Sequence, residues 1–172
     1  MPANGQTGLV VPVPAADALL ASVEARYPGT VRVGLPAHVS LLYPFLAAAE
    51  LDERVITALG ELFRKQAPMP VTFTTCYRRG GFVALRPDPL DGPAGLIDET
   101  RRRWPHLVPY GGRYGAAEPH LTVAMSSSTE VAAVIEQEVP AALPIPAQLR
   151  EVLLVVFEER WTLRDRFDFG SR

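Results

Sequence analysis

Apolar positions change their period several times along the chain, and each change marks an element. Residues 8–13 are apolar but broken by Pro12, which predicts a short strand at a sheet edge, because proline cannot donate to a neighbouring ladder. Ala16, Leu20, Val23 and Tyr27 recur at helical spacing until Pro28-Gly29, predicting a helix over 15–27. Residues 37–43 alternate instead. On that strand His38, Ser40 and Leu42 point one way, while Val39 and Leu41 point the other. Leu51, Val55, Leu59 and Leu62 make the stripe of a second helix, ending before Pro68. Val71 to Tyr77 has strong β-propensity, Arg78 to Gly81 reads as a turn, and Phe82 to Leu85 as the returning strand.

The order then repeats. Ile97, Thr100 and Trp104 predict a helix over about 92–104, closed by Pro105. An irregular, glycine-rich stretch from Pro109 to Gly115 leads into a second alternating strand. There His120 and Thr122 share one face, and Leu121, Val123 and Met125 the other. Ser127, with Glu130 three residues later, predicts a capping box opening a helix through Val131, Val134, Ile135 and Glu138, which Pro140, Pro144 and Pro146 end. Val152 to Phe157 is continuously apolar and reads as a strand central in its sheet; a turn at Glu158–Arg160 leads into a hairpin or tail through Phe169. Residues 8–77 and 82–157 therefore share one order: strand, helix, histidine strand, helix, strand. Little residue identity links them outside the histidine strands, so the duplication rests on order and spacing. The pattern predicts an α+β fold, a single bilobal domain over residues 1–172. Its two pseudosymmetric lobes are each a small, mostly antiparallel sheet flanked by helices, with a central cleft between them. In that geometry His38 and Ser40 form one wall of the cleft, and His120 and Thr122 the other.

Composition narrows the classes of function. The chain has 172 residues, 48% hydrophobic and 21% charged, which is ordinary for a soluble globular domain. A net charge of −2 offers no broad attraction for nucleic-acid backbones, and binding of long nucleic acid is not expected. It leaves open a small nucleotide or an RNA end held locally. The single cysteine, Cys76, excludes an internal disulfide and reads as a small buried hydrophobe in a strand. The first residues lack the basic region and apolar core of a signal peptide, and no apolar run approaches the ~20 residues of a membrane span. The expected location is the cytoplasm, with no membrane partner.

The candidate chemistry lies in the alternating strands. Two of the three histidines stand two residues before a hydroxyl on the same strand face. Opposed imidazoles with ordinary pKa values near 6.5 would hold one proton between them at neutral pH. The neutral ring takes a proton from water or a hydroxyl, and the charged ring gives one to the leaving oxygen. Such paired catalysis contributes ~10²–10⁴-fold per group, and it suits in-line displacement at phosphorus. Ser40 and Thr122 would donate to non-bridging phosphate oxygens without adding negative charge. Competing chemistries fit less well. A metal site needs three or four converging ligands, and neither stretch supplies them. Residues two apart on a strand face lie ~6–7 Å apart at the backbone, too far for Ser40 to be a nucleophile activated by His38. Gly111 to Gly115 precedes a strand, unlike a P-loop or a dinucleotide fingerprint. Neither a metal nor a cofactor is expected.

His38-Val39-Ser40 and His120-Leu121-Thr122, about eighty residues apart, resemble the paired motifs of the two-histidine phosphoesterase superfamily. The surrounding text, Leu35 to Phe45 and Tyr110 to Ala124, is similar to its 2′–5′ RNA ligase/cyclic phosphodiesterase branch, and the likeness runs through essentially the whole chain. The resemblance implies metal-independent opening of a 2′,3′-cyclic or related phosphodiester. His38 and His120 would be acid and base, and Ser40 and Thr122 would hold the phosphate. The family's motif usually carries a hydrophobic or aromatic residue three after the hydroxyl. Tyr43 or Phe45 could fill that place on the first strand, whereas Met125 stands where an aromatic is frequent on the second. Tyr110, Arg113 and Tyr114, in the lead-in to His120, are candidates for contact with a base or phosphate, with a structural loop as the alternative. Arg32 and Arg86 either add positive potential near the strand mouths or are simply solvated. Arg101 to Arg103 read as the wet face of a helix, and His106 as surface. The expected partner is a nucleotide or RNA end, taken up by a monomer. The alternative is a non-catalytic nucleotide-binding module on the same fold.

Overall fold

The computed structural model describes residues 2–109, 118–126 and 128–170. Among them are β1 (Thr7–Pro12), α1 (Asp17–Arg26), β2 (His38–Leu42), α2 (Glu53–Arg64), β3 (Met69–Arg79), β4 (Phe82–Asp88), α3 (Asp91–Arg103), β5 (Leu121–Met125), α4 (Thr129–Glu138), β6 (Ile145–Leu149), β7 (Glu151–Glu158) and β8 (Arg160–Asp168). The fold is α+β. All eight strands belong to one antiparallel sheet, in the order β6-β3-β4-β5-β2-β1-β7-β8.

The two expected small sheets are thus joined edge to edge at β2 and β5. Outward from that seam the order is β2-β1-β7-β8 on one side and β5-β4-β3-β6 on the other. β3 pairs with β4 and β7 with β1, so each run of the chain sends its closing strand to the opposite half. The helices cross over as well: α1 packs beneath β5 and α3 beneath β2. None of the described helices is long and apolar enough to cross a membrane.

Helices cover one face of the sheet. Leu9, Val11, Val39, Leu41, Leu85, Leu121, Val123 and Leu154 point into this main core and meet Leu59, Phe63, Leu96 and Ile135 from the helices, all at or near full burial. Each such side chain contributes ~1.5–3 kcal/mol by leaving water. Asp52 caps α2 by accepting from the Val55 N–H at 2.9 Å, and the α2 stripe then brings Phe63 against Phe167 of β8, with centroids 6.1 Å apart. The opposite face is open except for a smaller cluster in which Val10, Leu153, Val155 and Trp161 are buried.

Several expectations are corrected by long-range pairing. β1 is an interior strand between β2 and β7. Pro12 is tolerated because the register with β7 runs only from Thr7 to Val10, so its missing N–H faces no ladder there. β7 lies one strand in from the edge, not at the centre; it is apolar throughout because Val152 and Leu154 enter the main core while Leu153 and Val155 enter the smaller cluster. The cap of α4 is Ser128, whose Oγ accepts from the Val131 N–H at 3.2 Å; Ser127 lies outside the described residues. The prolines after α4 do more than end it: Ile145–Leu149 forms β6, on the outer side of β3, where an edge position accommodates Pro146.

Candidate active site

The seam between β2 and β5 carries the paired histidines. Its register sets Val39 opposite Leu121, both buried beneath the sheet. Continued by one residue in each direction, that antiparallel register sets His38 level with Thr122 and Ser40 level with His120. All four side chains therefore rise from the open face as a two-by-two grid, hydroxyl across from imidazole. The two imidazoles occupy a diagonal, for which strand geometry gives a spacing of about 7–8 Å, enough for one phosphoryl group between them. The two motifs are neighbours across the seam of one sheet, joined side by side rather than carried on two separate sheets. Neighbouring strands extend the rows, with Val10 level with Ser40 and Ala84 level with Thr122.

Local hydrogen bonds fix both rings in the same sense. His38 Nδ1 donates to the Pro36 carbonyl at 2.7 Å, and His120 Nδ1 donates to the Glu118 carbonyl at 2.8 Å. A carbonyl can only accept, so each Nδ1 carries its proton and each Nε2 is left with a lone pair. The lead-in to His38 is held by the Asp17 carboxylate, which accepts from the Ala37 N–H at 2.8 Å, while the Ala37 carbonyl accepts from Val13 N–H at 2.7 Å. On the other strand Glu118 pairs with Arg86 at 3.1 Å, and the Phe82 ring meets the His120 ring edge-on at 5.3 Å. The Ser40 and Thr122 hydroxyls make no hydrogen bond to the described residues.

Burial changes the expected protonation. Desolvation lowers the pKa of His38 from 6.5 to about 4, against the opposing effect of the Pro36 carbonyl; Arg32 and His120 add smaller repulsions. Desolvation likewise lowers His120, with Arg79 adding to it. Both rings are therefore neutral in the free protein at pH 7, which corrects the expectation of one proton shared at rest. A bound anion would favour the charged form of a neighbouring ring and so return the missing proton.

The remaining candidates divide. Tyr43 is half-buried beside the grid, on the flank formed by the smaller cluster. Its ring meets Trp161 edge-on at 5.8 Å, and its hydroxyl donates to Gln6 Oε1 at 3.2 Å. Gly8 makes this fit: a Cβ there would come within 3.0 Å of Tyr43 Cδ2. Phe45 is corrected. It lies in the main core, edge-on to Trp104 at 5.0 Å, because the chain leaves the strand after Leu42 and alternation no longer applies. Tyr110, Arg113 and Tyr114 lie outside the described residues. Arg86 is tied to Glu118, Arg102 and Arg103 lie on the exposed side of α3, and His106 is exposed. Burial pushes the half-buried Cys76 thiol up to about 11, as befits a packing residue. Among the described residues no group of three or more His, Cys, Asp or Glu could hold a metal ion. Sequence reasoning passed over Phe82, Tyr77 and Arg79 on one flank and Trp161 on the other. The alternation of β4 sets Phe82 with Ala84 and Arg86, but nothing local says that this face borders His120.

Comparison with known proteins accords with this fold. A model of the 2′-5′ RNA ligase superfamily matches residues 11–161. No curated protein matches the chain. Among solved structures, E. coli LigT complexed with ATP superposes with a TM-score of 0.64 at 16% identity, covering 98% of this chain and 99% of that one. E. coli LigT complexed with 3′-AMP gives 0.62 at 18% identity, with the same coverage. TT0787 of Thermus thermophilus gives 0.60 at 18% identity, covering 95% of this chain and 97% of that one. At these identities the likeness is one of fold.

Proposed function

The chain belongs to the 2′-5′ RNA ligase superfamily, and from that premise we propose that it is a metal-independent phosphodiesterase acting on 2′,3′-cyclic or 2′–5′ phosphodiester bonds of nucleotides or RNA ends. Membership supports a phosphoesterase-type function; the finer reading rests on the grid. The observation that carries it is the matched tautomer, Nδ1–H held by a backbone carbonyl in both His38 and His120. That state leaves an Nε2 lone pair on each ring, which supports a reaction that takes a proton on one side of phosphorus and returns it on the other.

Catalysis would run as follows. The phosphodiester anion settles between the rings, and Ser40 and Thr122 donate to its non-bridging oxygens. Its negative charge raises the pKa of the imidazole beside the leaving oxygen, which becomes the acid. The other, still neutral, removes a proton from the attacking water. Oxygen adds to phosphorus as the ester bond breaks, and the pair ends with the proton exchanged between its members. The position of the leaving oxygen decides which histidine plays which part. The nucleotides in the E. coli LigT crystals, ATP, 3′-AMP and NADP+, support a nucleotide as the bound class.

The test is hydrolysis of 2′,3′-cyclic nucleotides and 2′–5′-linked dinucleotides with EDTA present. His38→Ala and His120→Ala would each cost ~10²–10⁴-fold in kcat. Turnover abolished by EDTA, or retained in either variant, would overturn the mechanism. Saturable nucleotide binding without product, weakened in the same variants, would favour the non-catalytic binding module.

A further inference from the structure

The open face is not the same on the two sides of the histidine grid. Beyond β1 it is mostly apolar: Val10, Leu153, Val155, Tyr43 and Trp161 cluster there. Beyond β5 it is aromatic and cationic. Thr75 pairs with Arg86, Tyr77 with Ala84 and Arg79 with Phe82 across the β3–β4 ladder, which sets these side chains on the histidine face. Phe82 touches His120 edge-on at 5.3 Å and Tyr77 at 6.4 Å, so aromatic surface runs outward from the imidazole without a break. The Tyr77 ring has Arg86 at 5.6 Å and Arg79 at 5.9 Å from its centroid.

The cations of this flank differ in what holds them. Arg78 points to the helix side and pairs with Glu136 at 3.3 Å; Arg86 pairs with Glu118 at 3.1 Å. Arg79, exposed beside the turn at Gly80, has no carboxylate within ion-pair distance among the described residues, and it is the cation whose field depresses His120. An unpaired guanidinium next to a half-exposed tyrosine, one aromatic ring away from the catalytic pair, matches the repeat of an oligonucleotide: phosphate, then base.

We propose that Tyr77, Arg79 and Phe82 form an outer subsite for the nucleotide next to the one that carries the scissile cyclic phosphate, with Arg79 on the phosphate joining the two and Tyr77 against the outer base. This rests on the phosphodiesterase reading and narrows it: the chain favours a cyclic phosphate at the end of an oligonucleotide over a free cyclic mononucleotide. The subsite contributes binding, and the chemistry stays at the grid. A cyclic mononucleotide lacks the second base and the joining phosphate that would fill the subsite.

The experiment compares kcat/KM for a 2′,3′-cyclic mononucleotide with that for a dinucleotide ending in the same cyclic phosphate. Stacking and one phosphate contact predict a dinucleotide preference of about 5- to 100-fold. Arg79→Ala and Tyr77→Leu should each bring that ratio toward one, and Arg79→Lys should keep part of it. The dinucleotide preference should weaken as salt rises in the wild type and in Tyr77→Leu, but not in Arg79→Ala. Equal turnover of both substrates by the wild type, or an unchanged ratio in Arg79→Ala, would overturn the subsite. If neither substrate turns over, the catalytic reading falls, and calorimetric binding of the 3′-phosphorylated mono- and dinucleotide decides the subsite by the same ratio: a wild-type preference lost in Arg79→Ala upholds it, and equal affinities reject it.

Discussion

The low pKa of His38 makes stability depend on pH in a way that a single substitution can isolate. In the unfolded chain the imidazole protonates near 6.5; in the folded protein desolvation delays this to about 4. The unfolded state therefore binds the extra proton first as pH falls. The contribution is fully present above 6.5 and is lost progressively between 6.5 and 4. Linkage gives a loss of about 2 kcal/mol from this one group between pH 7 and pH 5, and about 3 kcal/mol by pH 4. Arg32 and His120 are its charged or titratable neighbours, and both oppose protonation. The assay is urea unfolding of the wild type and of His38→Gln at pH 7, 6, 5 and 4. With an m-value of about 2 kcal/mol/M, the wild-type midpoint should drop by about 1 M more than that of His38→Gln between pH 7 and pH 5. His120 and the carboxylates titrate in both proteins and cancel. Parallel slopes in the two proteins would refute the claim that the ring is held neutral by burial.

Three further outcomes follow from the site and its supports. Because both rings are neutral at rest and one must carry a proton to act as acid, kcat/KM should peak below pH 6.5 and fall about tenfold per pH unit above it; a plateau from pH 7 to 9 would contradict the protonation assigned here. Ser40→Ala and Thr122→Val should each lower kcat about 10- to 100-fold while moving the unfolding free energy by less than about 0.5 kcal/mol, so an equal loss of stability and activity would deny them a role at the phosphate. Gly81→Ala should destabilise by about 1–3 kcal/mol in thermal unfolding, since its Cβ would be driven into the Ser126 carbonyl, whose own N–H donates to the Gly81 carbonyl at 2.8 Å. An unchanged melting temperature would show that the turn between β3 and β4 yields.

The features legible in the sequence are those set by a few neighbouring residues. The pleat of a strand puts His38 with Ser40 and His120 with Thr122 whatever surrounds them, so the pairing of imidazole with hydroxyl could be read directly. The helical stripe of α2 and the hairpin turn after β3 are likewise local. What could not be read depends on partners distant in the chain. Pro12 looks like an edge marker until β7 is seen to stop pairing at Val10. Tyr43 and Phe45 look interchangeable, yet one lies beside the grid and the other in the main core. Two similar runs of elements suggest two sheets, but pairing of β2 with β5 joins them into one, with the histidines as neighbours along a single diagonal. The ordinary imidazole pKa is lost for the same reason. Alternation is a property of the backbone of one strand, whereas neighbours, burial and desolvation belong to whichever surfaces tertiary packing brings together.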